Sequence, residues 1–332
     1  MASSVNISSY YLKTAQSGRI ISTISTHCGN NGFFSNHSEI VYSDNHLFLQ
    51  VFFCLIRLPE TVSGSLFYGD FFMKEVHIPA NGKGGIGKTI ISSLLAQYFL
   101  SKAKEPIHLY DTDPVNHTFN RYAALNVKIV NIVGEDSVID HSKFDDLVED
   151  LISKDGIAVV DSGSTTFLSL MQYIKSNGVI EVLHAHGVEL IFHIPLQSSG
   201  GLADTLEGLH TILETFTVPV VVWLNQNLGE IKDFKNSKLY EQYADRILGV
   251  CEIVNRHNDL FESDIQRMTE NHLTIEEIKQ STDPLWRLMN KQRINIFYND
   301  ICKQLDAIPL FTAPAAKQKE KADKVEKSTA TA

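Results

Sequence analysis

Apolar and polar positions along residues 73–305 follow the periods of strands and helices in alternation. Short apolar runs rich in β-branched residues predict strands at residues 74–78, 107–110, 157–160, 188–194, 218–224 and 248–254. Apolar residues at helical spacing predict helices at residues 88–102, 144–153 and 202–216. Asp283 and Pro284 suit the N-cap and first position of a further helix, which we expect to run to about Leu305. This alternation predicts an α/β fold with a mostly parallel, twisted sheet and helices on both faces, in three layers.

Both ends of the chain depart from this pattern. Residues 1–72 are rich in serine and aromatic residues and poor in charge, and no helical or strand period persists. Met73 then opens a strand that leads into a glycine-rich loop. We therefore expect residues 1–72 to be a poorly structured extension outside the native protein, with a genuine but poorly ordered extension as the alternative. Residues 306–332 are charged and lack an apolar face, so we expect a disordered tail.

Composition narrows the possible classes of function. The formal net charge of −10 argues against a generally basic surface for nucleic acid, although it leaves a local patch possible. The four cysteines are scattered without C-x-x-C spacing, which indicates a reducing, cytoplasmic location without a disulfide framework, zinc site or iron–sulfur site. The most apolar run, residues 47–56, is shorter than the roughly 20 residues of a spanning helix, so no membrane insertion is expected.

Residues 81–89, "NGKGGIGKT", carry the clearest chemistry. They contain the pattern G-x-x-x-x-G-K-[ST] between a predicted strand and a predicted helix, the context that this phosphate-binding loop requires. The glycines let backbone N–H groups turn toward phosphate oxygens, and the helix N-terminus adds positive potential. Lys88 is expected along the β- and γ-phosphates, and the Thr89 hydroxyl on Mg²⁺. The predicted nucleotide-binding residues are Gly82, Gly84, Gly85, Ile86, Gly87, Lys88, Thr89 and Ile90.

Three aspartates follow predicted strands. Asp161 ends the strand in "IAVVDSG", from which a carboxylate opposite Thr89 would hold a magnesium-bound water. Asp111 and Asp113 in "YDTDPVNHTF" are two residues apart, so they share a face in an extended segment. Two carboxylates in that place can position a magnesium shell and an attacking water.

The order of these motifs resembles that of the deviant Walker A ATPases, the partition and division-positioning (ParA/MinD) group. The shared elements are K-G-G-x-G-K-[ST], then D-x-D-P after the second strand, then an aspartate after a later strand. The resemblance implies that Lys83 reaches the nucleotide of a partner subunit, so that ATP binding forms a homodimer. It also implies a catalytic set of Lys83, Lys88 and Asp113, with Asp113 on the attacking water, and a magnesium set of Thr89, Asp111 and Asp161.

A second resemblance covers about residues 73–305. Together with the two motifs above, it rests on "FDDLVEDL", "VVDSGSTTFLSL", "GGLADTLEGL", "VVVWLNQNLGE" and "LTIEEI". The set is similar to the TraL-type nucleotide-binding proteins of conjugative plasmids. This resemblance implies a switch ATPase, slow alone and stimulated by a partner, that acts in conjugal DNA transfer. Plasmid transfer or relaxosome proteins are then the expected partners, with any contact to DNA indirect.

The identity of the base depends on Asn225, which ends the strand "VVVWLN". Relatives use an asparagine in this place on adenine. A guanine reader would continue as N-K-x-D, whereas this chain continues Asn225-Gln226-Asn227-Leu228. The sequence therefore favours ATP over GTP, although an ordinary loop asparagine remains the alternative interpretation.

Several other functions remain open on the sequence alone. A partition ATPase that binds DNA without sequence preference uses the same chemistry, but Val115 stands where partition proteins usually have glutamine. A small-molecule kinase or synthetase would use the loop without needing Lys83. An iron–sulfur reductase would need a cysteine pair, and no cysteine occurs between Cys54 and Cys251. A scaffold without hydrolysis is disfavoured by the pair Asp111 and Asp113.

Two further groups of residues are assigned no site. Three histidines in and beside one predicted strand suggest a metal, but their placement around a loop and a strand disfavours it: His184, His186 and His193. Three basic residues on the last predicted helix could contact DNA phosphates, but a solvated helix face is the preferred interpretation: Arg287, Lys291 and Arg293.

Overall fold

A computed structural model describes residues 11–14, 20–23, 74–102, 105–134 and 139–312. The chain divides into two compact units, Met1–Leu66 and Phe67–Ala332. In the first unit, β1 (Tyr11–Thr14) and β2 (Ile20–Thr23) pair as an antiparallel hairpin, which the sequence pattern did not predict. The expected start at Met73 and residues 313–332 of the expected tail lie outside the described residues.

The second unit is built on a seven-stranded parallel sheet. Its strands run in the order β5-β4-β6-β3-β7-β8-β9. All six predicted strands are present, and β5 is an additional edge strand that is too short to show a period. The strands are β3 (Lys74–Pro79), β4 (Ile107–Asp111), β5 (Lys128–Ile129), β6 (Ile157–Asp161), β7 (Val188–Leu196), β8 (Val220–Asn225) and β9 (Ile247–Ile253).

Helices cover both faces of this sheet, so the predicted three-layer α/β/α fold is confirmed. One apolar core lies between the sheet and α2 (Ser142–Ser153), α3 (Phe167–Ser176), α4 (Val179–Ala185) and α5 (Leu202–Thr215). The other lies between the sheet and α1 (Lys88–Lys102), α7 (Asp259–Glu270), α8 (Ile275–Gln280) and α9 (Leu288–Asp306). Two short helices complete the unit: α6 (Lys238–Gln242) and α10 (Pro309–Thr312).

The central strands are apolar on both faces because both are covered. On β6, Val160 packs into the first core and its neighbour Val159 into the second, as the two-residue period of a strand requires. The helices are apolar along one stripe only. On α9, Ile294, Phe297 and Ile301 recur every three or four residues and are buried. Each such side chain contributes about 1.5–3 kcal/mol on burial.

The last long helix begins later and the fold continues further than the sequence predicted. The Asp283 carboxylate accepts the Leu285 N–H at 2.8 Å, which closes a local turn, and α9 starts only at Leu288. Beyond the boundary expected at residue 305, Ile308 is 2% exposed and Phe311 packs 5.7 Å from Phe99 between ring centroids. These contacts, which a charged composition cannot reveal, make residues 306–312 part of the folded unit. Among the described helices, none is both long enough and apolar enough to cross a membrane.

Candidate functional site

Strand β7 holds the beginning of the glycine-rich loop. Ala80 donates its backbone N–H to the carbonyl of His193 at 2.9 Å, so the loop leaves β3 while still paired to the sheet. Asn81 donates its side-chain amide to the carbonyl of Pro195 at 3.2 Å and accepts the N–H of Lys83 at 3.0 Å. These contacts fix the direction in which the loop leaves the sheet.

The rest of the loop curls into the N-terminus of α1. Gly85 and Gly87 have φ angles of 72° and 98°, a conformation that residues with side chains rarely adopt. The 15-residue helix α1 begins at Lys88, so its first N–H groups and its dipole face the interior of the loop. The structure thus brings the predicted cradle together: Gly82, Gly84, Gly85, Ile86, Gly87 and Ile90.

Lys88 lies across this cradle. Its ammonium donates a hydrogen bond of 2.8 Å to the carbonyl of Lys83, and the residue is only 6% exposed. Burial lowers the pKa of Lys88, while the carboxylates of Asp161 and Asp113 act in the opposite direction. An ammonium at the helix N-terminus suits a polyphosphate, because both favour negative charge.

Asp161, at the end of β6, connects the sheet to α1. Its Oδ2 accepts the hydroxyl of Thr89 at 2.8 Å, and its Oδ1 accepts the hydroxyl of Ser92 at 2.7 Å. Burial raises the pKa of Asp161 to about 7 against the effect of these two hydroxyls, and the neighbouring Asp111 raises it further. The predicted proximity of Thr89 and Asp161 is therefore present in the structure.

The two carboxylates of the D-x-D segment have different surroundings. Asp111 is fully buried, and its two oxygens accept the backbone N–H groups of Asp113 at 3.0 Å and Asn120 at 2.9 Å. Burial raises the pKa of Asp111. Asp113 is partly exposed and accepts the N–H groups of Val115 and Asn116 at 3.0 and 3.2 Å. Asp111 thus shapes the loop, whereas Asp113 lies nearer to its surface.

Strand register brings this loop to the site. Asp111 pairs directly with Asp161 across β4 and β6, so both aspartates lie at the carboxyl edge of the sheet. Asp113 also reaches the segment after β6: a Cβ on Gly163 would lie 2.7 Å from its carboxyl carbon. All three predicted aspartates are therefore gathered beside the glycine-rich loop.

Lys83 makes its contacts within its own subunit. Its ammonium donates a hydrogen bond of 2.8 Å to the carbonyl of Gly200 and lies 3.5 Å from the carboxylate of Asp204 on α5. A Cβ on Gly201 would lie 1.7 Å from the Lys83 nitrogen, so glycine at position 201 leaves the space that the ammonium occupies. Lys83 is thus held against the loop between β7 and α5.

Asn225 ends β8 beneath the glycine-rich loop. Its amide nitrogen donates to the carbonyl of Ile86 at 3.2 Å, and a Cβ on Gly87 would come within 3.0 Å of that nitrogen. The residue is 5% exposed, and its Oδ1 is buried without a hydrogen-bond partner. A buried acceptor of this kind is costly unless a ligand completes it.

Sequence reasoning missed two sets of side-chain hydrogen bonds. Ser92 was not predicted to bind Asp161, although it lies three positions after Thr89 and therefore on the same helix face. A buried chain of hydrogen bonds across β3, β7 and β8 was also missed. Trp223 donates to His193 at 2.9 Å, the rings of His193 and His77 are joined at 3.0 Å, and His77 lies 3.3 Å from Glu75. No sequence period marks such a chain, because its members are far apart in the sequence.

Two of the three basic residues expected on the last helix do not lie on a solvated face, which was the preferred interpretation of the sequence. Arg293 donates to the buried carboxylate of Asp264 at 2.6 Å, and Lys291 donates to the carbonyls of Lys279 and Ser281 at 3.0 and 2.7 Å. Both side chains therefore hold α9 against α7 and α8. Only Arg287 of the three remains exposed.

The site residues fit a magnesium-bound nucleotide. Within the described ranges, no group of three or more histidine, cysteine, aspartate or glutamate side chains is placed to hold a metal by itself. Mg²⁺ does not need such a group, since it is usually bound by one or two protein oxygens together with water and substrate phosphate. Thr89 and Asp161 supply oxygens of this kind beside the glycine cradle.

Comparison with known proteins finds two curated relatives, and both carry the same name. Two Escherichia coli sequences named Protein TraL are 34% and 33% identical to this chain over 241 and 240 residues. The matches cover 71% and 70% of this chain and 98% of each relative. No family model matches the chain.

Two solved structures have similar chain paths at low sequence identity. A ParA family ATPase from Chlorobium tepidum has a TM-score of 0.41 at 12% identity, and the match covers 68% of this chain and 98% of that one. A chain of the MinC:MinD cell division protein complex from Aquifex aeolicus has a TM-score of 0.39 at 14% identity, with coverage of 70% and 95%. These values are too low to support an argument, so the assignment rests on the curated sequences. Because they are more than 30% identical and are matched over nearly their whole length, the chain belongs to the TraL family.

Proposed function

We propose that this chain binds and hydrolyses Mg·ATP as a dimerising switch in conjugative plasmid DNA transfer. The observation that carries the proposal is the junction of the glycine-rich loop with β6. There Thr89 bonds to Asp161 at 2.8 Å, while the buried ammonium of Lys88 spans the loop. This combination of a glycine cradle, a cation and a hydroxyl–carboxylate pair suits a nucleoside triphosphate and Mg²⁺.

Each residue at the site has a distinct task in this proposal. Mg²⁺ would neutralise charge on the phosphates, held by Thr89 directly and by Asp161 through water. Lys88 would leave the carbonyl of Lys83 for the β- and γ-phosphates, exchanging one oxygen acceptor for a charged one. Asp113, which is partly exposed at the edge of its loop, would orient the attacking water. Asp111 would act on the magnesium shell mainly by holding this loop in place.

The chemistry of Asn225 favours adenine as the base. Its amide nitrogen donates one N–H to Ile86, whereas the acceptor Oδ1 is buried without any partner. Adenine presents an amino donor at position 6, whereas guanine presents an acceptor there. An unpaired acceptor facing another acceptor would be penalised, so Oδ1 favours ATP over GTP.

Dimerisation is proposed from Lys83. Its contacts with Gly200 and Asp204 lie at the surface, and the Asp204 side chain is 71% exposed. On ATP binding, Lys83 would leave them for the phosphates bound by a second copy of the chain. The ion pair with Asp204 is largely exposed and therefore weak, so a phosphate can replace it.

The test is the mass of the protein in solution with ATP, ADP or no nucleotide. We expect a dimer with ATP alone, and we expect Lys83→Ala to bind ATP yet stay monomeric. Lys88→Ala is the matched control, since it should lose nucleotide binding as well. A Lys83→Ala protein that dimerises as the wild type does would remove the switch from the proposal.

The role in transfer is proposed from membership of the TraL family. We propose cytoplasmic action with plasmid transfer or relaxosome proteins as partners, which would stimulate a slow ATPase. Direct binding to DNA is not favoured by the structure, because Arg293 and Lys291 on α9 are engaged inside the fold. Capture of transfer proteins by the ATP-bound form, and not by the ADP-bound form, is the result that this role requires.

A further inference from the structure

Two buried side-chain atoms in the described part of the chain lack a hydrogen-bond partner, and both lie near the proposed nucleotide site. They are Oδ1 of Asn225 and Nδ1 of His117. More than nine in ten buried polar atoms in proteins are paired, so each exception calls for a physical reason. The ligand proposed above explains Asn225. His117 has no role in that account.

His117 lies in the loop that follows the D-x-D segment, and its backbone is strained. Its φ angle of 45° is in the left-handed region, which costs a residue with a side chain about 1–2 kcal/mol. Glycine would remove this cost. The turn itself therefore does not require the imidazole ring.

The surrounding loop holds His117 in this conformation from both sides. Before it, Asp113 accepts the N–H groups of Val115 and Asn116; after it, Asp111 accepts the N–H of Asn120 at 2.9 Å. Strain persists only where such contacts over-determine it, and it is concentrated at functional sites.

The contacts of this loop place His117 beside the aspartates of the site. Asn116, which precedes it, donates its backbone N–H to Asp113 at 3.2 Å, and Asn120 donates its backbone N–H to Asp111 at 2.9 Å. Asp111 in turn pairs in register with Asp161, which binds Thr89. His117 thus lies on the side of the site where the aspartates gather, whereas Asn225 lies at the end of β8.

We propose that His117 binds the γ-phosphate end of the nucleotide through Nδ1, to a phosphate oxygen or a water beside it. The inference rests on the proposed function. Nδ1 makes no hydrogen bond, so a contact between this atom and a ligand replaces none. The two unpaired atoms then mark the two ends of one ligand: Asn225 at the base and His117 at the terminal phosphate.

The test separates this contact from a structural role by comparing two nucleotides. Affinities for a non-hydrolysable ATP analogue and for ADP, both with Mg²⁺, are measured for the wild type, His117→Gly and His117→Asn, together with their unfolding temperatures. Glycine accepts the left-handed backbone but removes the ring. Asparagine also tolerates this backbone, and its amide lies near the place of Nδ1.

We expect His117→Gly to unfold no earlier than the wild type and yet to lose about tenfold or more in affinity for the ATP analogue. Its affinity for ADP should change by less than about twofold, and His117→Asn should restore most of the loss for the ATP analogue. Equal affinity of His117→Gly and wild type for the analogue would overturn the inference, as would an equal loss for both nucleotides. If Nδ1 of His117 binds only a buried water within the loop, one of these two outcomes is expected.

Failure of the proposed function gives a different result. If the wild type binds the ATP analogue no better than Lys88→Ala does, the nucleotide site itself is wrong, and the role of His117 is overturned with it. If binding depends on Lys88 but His117→Gly does not distinguish ATP analogue from ADP, only the role of His117 is overturned.

Discussion

At the scale of single residues, Asp161 shows how burial destabilises a carboxylate. Its carboxylate is 2% exposed, and two hydroxyls and the ammonium of Lys88 do not fully offset the loss of water. Burial raises the pKa of Asp161 from 3.8 to about 7. Because the folded state binds this proton more tightly than the unfolded state does, stability falls as the pH rises through this interval.

Replacement of Asp161 by asparagine should therefore stabilise the nucleotide-free protein at alkaline pH. A difference of about 3 pKa units, at 1.36 kcal/mol per unit, sets an upper limit of about 4 kcal/mol at pH 8. The gain should shrink toward pH 5, where the wild-type carboxyl is itself protonated. The measurement is the free energy of unfolding at both pH values for the wild type and Asp161→Asn.

Asp146→Asn on the exposed face of α2 is the matched control for a simple change in net charge. Its effect on unfolding should be small and nearly independent of pH. We also expect Asp161→Asn to lose the added stability that Mg·ATP confers on the wild type. A variant that is less stable than the wild type at pH 8 would contradict this account of Asp161.

At the scale of elements, the candidate site is formed by the loops at the carboxyl edge of the sheet. In parallel sheets, ligands bind outside this edge, where loops from neighbouring strands meet. The glycine-rich loop leaves β3, Asp161 ends β6 beside it, and the loop after β7 holds Lys83. In the proposed switch, the loop after β7 would therefore control whether Lys83 is available for a second subunit.

Gly201→Ala should release Lys83 without altering its chemistry. The added methyl group would lie 1.7 Å from the ammonium, so the flexible end of the lysine must move away. The interactions of Lys83 with Gly200 and Asp204 are exposed, and breaking them costs about 0.5–1 kcal/mol. We therefore expect the ATP concentration at half-maximal dimerisation to fall about two- to fivefold. Light scattering across an ATP titration measures this midpoint.

Asp204→Asn is the companion variant, because it weakens the same interaction without adding bulk. It should shift the midpoint in the same direction by a smaller amount. A Gly201→Ala protein that needs more ATP than the wild type would show that the interactions of Lys83 within its own subunit assist dimerisation and do not restrain it.

At the scale of the whole molecule, charge and packing both disfavour a surface for DNA. The net charge is −10, and the basic residues expected on the last helix are largely engaged with α7 and α8. Binding to duplex DNA without sequence preference depends on cations that are free to replace counterions at the phosphates.

We expect no measurable binding of the ATP-bound protein to duplex DNA at about 100 mM salt. Fluorescence anisotropy of a labelled duplex, with the ATP analogue and with ADP, is the measurement. Binding that requires ATP and weakens steeply with salt would instead support the partition alternative. In that case, Arg287→Ala should reduce the salt dependence, because it removes one exposed cation.

The layered fold and the chemical character of the glycine-rich loop can both be predicted from the sequence. Buried parallel strands have a distinctive apolar composition, and the phosphate loop needs its glycines and lysine at fixed spacing. The aspartates could be named because Asp111 and Asp161 each end a strand and Asp113 follows β4 by two residues. The start of α9 was misplaced because the capping signal of Asp283 serves a turn as well as a helix.

Which polar atoms meet depends on the packed fold. Ser92 joins Asp161, Lys83 meets Gly200 and Asp204, and a histidine chain crosses three strands, each through contacts between distant parts of the sequence. Burial, which raises the pKa of Asp161 and leaves His117 with an unpaired nitrogen, is likewise a property of the folded chain. Residue types and spacing specify the kind of chemistry, whereas distances and desolvation, which arise only on folding, set which groups carry it.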